Sequence, residues 1–210
     1  MTTLLLVHGG LWETGMDGDA FWRRPGVVAA LERRGFDVLV LDRSPRAPSW
    51  PAEAEHLARA LPARPVTVVA GSNGCSAAVR LALASPDAVD RLLLAWPATA
   101  RDEAVDARTA AALTAAGASS DVVAALLAGE TLRGATDAEL AGLTPPLGLL
   151  PADPPDPFHR RRTVDALVAL VPGAAVLPEC TEPPRPEFAA ELDRCADAIA
   201  AFAGRRDGPV

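Results

Sequence analysis

The chain predicts an α/β fold: a mostly parallel, doubly wound sheet of about six strands, with helices on both faces and three layers in all. Short apolar runs alternate with helical patterns along most of the 210 residues. The runs are almost continuously apolar, as strands covered on both faces must be. One of them, Val66–Ala70, passes straight into a turn of small residues and then an Ala-rich amphipathic segment.

The elements follow in order. Leu4–Val7 reads as a buried strand, Val27–Arg34 as a helix closed by Gly35, and Val38–Leu41 as the next strand. Ala52–Leu61 is helical up to Pro62, Val66–Ala70 is a β-branched strand, and Cys75–Ala84 is a helix. Leu92–Trp96 gives a fourth strand. Strand signals then stop between Arg101 and Leu143, where three short helical patterns are punctuated by Gly117 and by Gly129 to Gly134. The last of these opens with Thr136-Asp137-Ala138-Glu139, a capping box. Leu147–Leu150 and Ala174–Leu177 read as strands around a helix at Thr163–Val171, and Pro186–Ala203 as a closing helix.

Composition narrows the function. Half the residues are apolar, which excludes a disordered chain, and the length suits one domain spanning 1–210. A net charge of −7 argues against nucleic acid and against an anionic membrane as partners, leaving a small-molecule substrate. All 20 cations are Arg, so Schiff-base lysine chemistry and a P-loop are excluded. No run is long enough to span a membrane. The N-terminus enters a core strand without a signal-peptide pattern, so a cytoplasmic location is expected. Cys75, Cys180 and Cys195 have no metal spacing and are expected as free thiols. Neither a cofactor nor a metal is expected, and the oligomeric state is not encoded.

Chemistry concentrates at Gly71-Ser72-Asn73-Gly74. Strand, tight turn with Ser and helix, in that order, make a nucleophile elbow. Ala70 and Gly74, two residues either side of Ser72, are small because the strand and helix pass close together. The geometry lifts the hydroxyl over the sheet end and aims helix N–H groups at the same point. The plainer reading is a strand-to-helix turn with Ser72 as N-cap.

Strand-His8-Gly9-Gly10, the elbow about 60 residues later and the run Ser85 to Ala98 together resemble the α/β-hydrolase family in order and spacing. The likeness covers nearly the whole chain. It implies an oxyanion hole from the backbone N–H groups of Gly10 and Asn73, and a cap inserted at about 101–143 after the fourth strand. It also implies a compact member that lacks the first two strands of larger relatives. In the family order, acid and then His follow the Ser, the His after the last strand. Here the loop after that strand, Pro178–Pro184, contains no His.

Three histidines compete for the role of base. His8 belongs to the His-Gly-Gly loop and reads as its brace, and His56 reads as a surface residue on a flanking helix. His159 follows a sheet strand at the carboxyl end, where open α/β sheets collect functional groups; it is either the base or a helix-start packing residue. Asp156 stands near the family's acid position, and Glu179 and Glu182 occupy the loop that would carry the His. Asp153 and Asp156 also read as turn initiators before Pro, and Glu179 and Glu182 as solvated loop carboxylates.

The resemblance therefore implies a serine hydrolase of ester, thioester or related acyl bonds. Ser72 is its expected nucleophile; loop position, not the resemblance, nominates His159 as base and Asp156 or Glu182 as orienter. Trp12, Trp96 and Leu11 are expected at the walls of a hydrophobic pocket, or else as filling under the cap. The missing terminal His keeps two alternatives open: a non-hydrolytic cyclase or lyase on the same fold, and a silent ligand binder.

Overall fold

The computed structural model describes residues 2–204. Six strands form one parallel sheet: β1 (Thr3–Val7), β2 (Asp37–Leu41), β3 (Val66–Gly71), β4 (Val89–Ala95), β5 (Leu147–Leu150) and β6 (Ala175–Val176). Their order is β2-β1-β3-β4-β5-β6. The chain therefore starts inside the sheet, moves one way to β2 and then reverses to β3. The reversal lies between β1 and β3, where open α/β sheets leave a crevice at the carboxyl ends of the strands. Val7 pairs with Ala70, Ala70 with Leu94 and Ala95 with Leu150, so His8, Ser72, Trp96 and Pro151 all emerge at one rim.

Helices cover both faces. On one side α1 (Val27–Arg33) and α8 (Leu192–Ala203) pack against each other and on Leu4, Leu6, Val69 and Leu93. On the other, α2 (Trp50–Ala58), α3 (Gly74–Ala84) and α7 (Arg161–Leu170) cover Leu5, Val68, Leu92 and Leu149. Successive strand residues thus feed two separate cores, which is why the strands carry almost no polar side chains. Between β4 and β5 lie α4 (Glu103–Ala115), α5 (Ser120–Leu127) and α6 (Asp137–Ala141); α6 opens with the capping box at Thr136.

This insertion is tied to the body by buried polar groups. Trp50 Nε1 donates to the Leu126 carbonyl at 2.9 Å. Gly134 lies so close over Trp50 that a Cβ there would stand 2.6 Å from the indole.

Some element bounds differ from expectation. β4 starts at Val89, and β6 forms only two paired residues at the sheet edge between Gly173 and Pro178. The second helix stops at Ala58. The closing segment is a 3-10 turn (Pro186–Ala190) followed by α8; Glu191, at the junction, accepts the Thr181 N–H at 2.7 Å. A π-helical turn at Asp19–Arg23 is additional; it buries Phe21 and Trp22 beneath the β1 loop.

Candidate active site

Ser72 follows β3 directly and has φ +50, a left-handed conformation that costs a non-glycine residue about 1–3 kcal/mol. Close packing holds it there. Its N–H donates to the Ala95 carbonyl at 3.0 Å, and its own carbonyl accepts from the Cys75 N–H at 3.0 Å. Gly74 is required: a Cβ there would stand 2.4 Å from the His8 carbonyl oxygen. A Cβ on Gly9 would meet Phe21 at 2.7 Å and Ser72 Cβ at 3.1 Å. The β1 loop and the elbow are thus in backbone contact. Ser72 is buried, but it faces a cavity of about 460 Å³.

On the other side of Ser72 stands a hydrogen-bonded chain of side chains. The Ser72 hydroxyl donates to His159 Nε2 at 2.9 Å. His159 Nδ1 donates toward Asp156 at 3.3 Å and lies 3.4 Å from Glu182 Oε2. Asp156 also performs its turn role, since its Oδ1 accepts from the N–H groups of Phe158 and His159 at 2.7 and 2.9 Å. Its other oxygen is bound by Arg185. Burial pushes the Asp156 carboxyl upward, but the hydrogen bond and charge of His159, the Phe158 amide and Arg185 outweigh it and hold the group well below the usual carboxylate range. Glu182 goes the opposite way. Burial pushes it up to about 6, against the pull of His159 and Arg185.

No protein-family model matches the chain, and no curated protein does. Solved structures match it over nearly its whole length. The hydrolase MGS-MChE2, from the metagenome of lagoon sediments at Mar Chica, Morocco, is 13% identical with a TM-score of 0.70, over 99% of this chain and 92% of its own. The serine hydrolase CarC of carbazole degradation is 15% identical with a TM-score of 0.70, over 98% and 92%. The thioesterase domain from the curacin biosynthetic pathway is 16% identical with a TM-score of 0.63, over 96% and 90%. This chain has the α/β-hydrolase fold.

Compared with the usual α/β-hydrolase order of acid and then His, the His has moved into the loop that carries the acid, and the last loop offers a carboxylate in its place. The loop after β5 brings His159 together with Asp156, and the loop after β6 brings Glu182. Asp153 and Glu179 do not join them. Asp153 is exposed, and Glu179 pairs with Arg161 on the outside. His56 bonds the Asp42 carbonyl from the surface.

His8 sits under its own loop. Its Nδ1 donates to the Gly9 carbonyl at 2.8 Å, and its Nε2 accepts from the Arg43 N–H at 3.0 Å. Burial, and after it the Arg43 charge, lowers its pKa, so the ring is neutral.

Gly10, Leu11 and Asn73 line the cavity. Among the described residues, the N–H groups of Gly10 and Asn73 donate to no protein acceptor. Trp12 and Trp96 do not line it. Trp12 turns its indole away to the Ala47 carbonyl at 3.0 Å and faces a separate cavity of about 440 Å³ behind the β1 loop. Trp96 is fully buried, donates to the Cys180 carbonyl at 2.8 Å and packs on Phe21 and Trp22. The aromatic walls are Phe21 and Phe158 instead.

Sequence reading missed the cationic wall of Arg108, Arg133 and Arg185. Arg133 is almost wholly buried. It donates to Asn73 Oδ1 at 3.1 Å and to Asp106 at 2.8 Å, joining the insertion to the elbow. No motif marks it; only its place in a Gly-flanked turn, Gly129 to Gly134, set it apart.

Proposed function

We propose that this protein is a serine hydrolase that cleaves an ester, thioester or related acyl bond of a small hydrophobic substrate through an acyl-enzyme. The observation that carries the reading is the 2.9 Å hydrogen bond between the strained Ser72 and His159 Nε2. A Ser hydroxyl at neutral pH is a poor nucleophile until a base takes its proton. A positioned base is worth about 10²–10⁴ in rate. The relatedness in fold to CarC and to a thioesterase domain supports the same reaction class.

The steps follow from the geometry. His159 Nε2 takes the Ser72 proton as Oγ bonds to the acyl carbon. The carbonyl π pair moves onto oxygen, toward the N–H groups of Gly10 and Asn73. The tetrahedral adduct collapses, the bond to the leaving oxygen or sulfur breaks, and His159 returns the proton to it. Water then attacks the acyl-enzyme by the same route in reverse roles. Throughout, the Asp156 and Glu182 carboxylates face the imidazolium. The cavity walls Leu11, Met16, Phe21, Ala98, Ala112 and Phe158 suit an apolar acyl group. Arg108, Thr109 and Ala112 of α4 contribute to them, which is the role of a cap.

The test is labelling with a fluorophosphonate probe together with turnover of short p-nitrophenyl esters. Labelling at Ser72, its loss in Ser72→Ala and a fall of at least about 10²-fold in rate in His159→Ala are expected. A folded wild-type protein that neither labels nor turns over such esters would rule the reading out.

A further inference from the structure

We infer that Arg43, reached through no motif at the elbow, is a positioning residue for the oxyanion hole. It fixes the β1 loop so that its amides face Ser72; the inference rests on the serine-hydrolase reading above. Arg43 follows β2, on the far side of the β1 loop from Ser72. Its guanidinium is fully enclosed. Nε pairs with Glu53 at 3.2 Å, and both side chains are almost inaccessible. The other arm, Nη1, lies under three consecutive carbonyls: His8 at 3.3 Å, Gly9 at 3.3 Å and Gly10 at 2.7 Å.

In a trans peptide the C=O and the following N–H point in opposite directions. A cation that draws the Gly9 carbonyl to its side therefore turns the Gly10 N–H to the opposite side. The Gly10 carbonyl does the same for the Leu11 N–H. Both residues line the cavity that Ser72 faces, and neither amide donates to a protein acceptor among the described residues.

His8 completes the clamp. It holds the Gly9 carbonyl by Nδ1 and is itself held by the Arg43 N–H. Gly10 has φ +75, which lets successive carbonyls turn to one cation. A lone point charge does not substitute for this fork. Lys in place of Arg43 cannot pair with Glu53 and reach the carbonyls together.

The experiment compares wild type with Arg43→Lys, and with the double variant Arg43→Met/Glu53→Gln, which removes both buried charges at once should the single variant not fold. The readouts are the second-order rate of Ser72 phosphonylation by a fluorophosphonate, and kcat and KM on a p-nitrophenyl ester, all on protein shown folded by circular dichroism. Loss of an oxyanion donor costs about 10²–10³ in kcat, so a displaced loop is expected to cost at least about tenfold in kcat and in labelling rate, with KM within about threefold. A folded variant that labels and turns over within about threefold of wild type overturns the inference while leaving Ser72 as nucleophile. A wild type that does not label at all counts first against the serine-hydrolase reading and removes this inference with it.

Discussion

The two sides of Ser72 are built by different physics. On the β1 side the positioning is steric: a Cβ on Gly74 would strike the His8 backbone, one on Gly9 or Gly71 would strike the Phe21 ring, and the loop is pinned by the buried Arg43–Glu53 pair. On the β5–β6 side, the positioning is electrostatic. His159 is held between two carboxylates, one of them locked by Arg185. Steric constraint leaves no room for a larger residue at Gly74, where the clash is with backbone. Charge placement has a spare partner here, since Asp156 stands 3.3 Å and Glu182 3.4 Å from His159 Nδ1. Changing one side at a time separates the two.

The largest effect is expected from removing both acids. Losing the orienting carboxylate of a Ser–His pair costs about 10⁴ in kcat where there is only one. Here Asp156→Asn and Glu182→Gln singly are expected to cost about tenfold or less, and the double variant about 10³–10⁴-fold. A steady-state kinetic double-mutant cycle reads this. Additive singles would show that only one carboxylate works.

Gly74→Ala probes the steric side. Its Cβ would overlap the His8 carbonyl at 2.4 Å, an overlap with backbone that no rotamer relieves. A loss of about 2–4 kcal/mol in urea unfolding is expected, together with a fall in activity. A neutral result would mean the elbow and β1 loop can separate.

The smallest effect is on stability against pH. Burial raises the Glu182 pKa from 4.5 to about 6 on folding. Folding therefore favours its protonated form, a contribution complete below pH 4.5 and lost as pH rises through about 6. Glu182→Gln is expected to stabilise the fold by up to about 2 kcal/mol at pH 8 and by almost nothing at pH 4, measured by denaturation at both pH values. A gain at low pH instead would show that Glu182 is not the strained carboxylate.

The steric side was legible in the sequence because small residues at fixed spacing have few other uses. Ser72, Gly74 and the His8-Gly9-Gly10 turn announce themselves. The sheet was legible for a similar reason, since strands buried on both faces leave an apolar record. The electrostatic side was only half visible. Asp156, His159 and Glu182 could be nominated by loop position, but their meeting depends on how far β5 and β6 extend, and β6 pairs only two residues. Trp12 and Trp96 were misplaced because a large aromatic at a strand end records burial and not the direction in which the ring turns. Arg43 and Arg133, both buried, and the half-exposed Arg185 were hidden by sheer abundance: in a chain whose 20 basic residues are all arginines, one that matters looks like any other.

The grip of Arg133 on Asn73 carries an evolutionary consequence. Loops tolerate insertion and change better than the elements they connect. In this chain the roof donates a hydrogen bond to Asn73, the residue beside Ser72. A descendant that remodels 103–141 for a new substrate must therefore keep that guanidinium, or invent another donor for the Asn73 side chain.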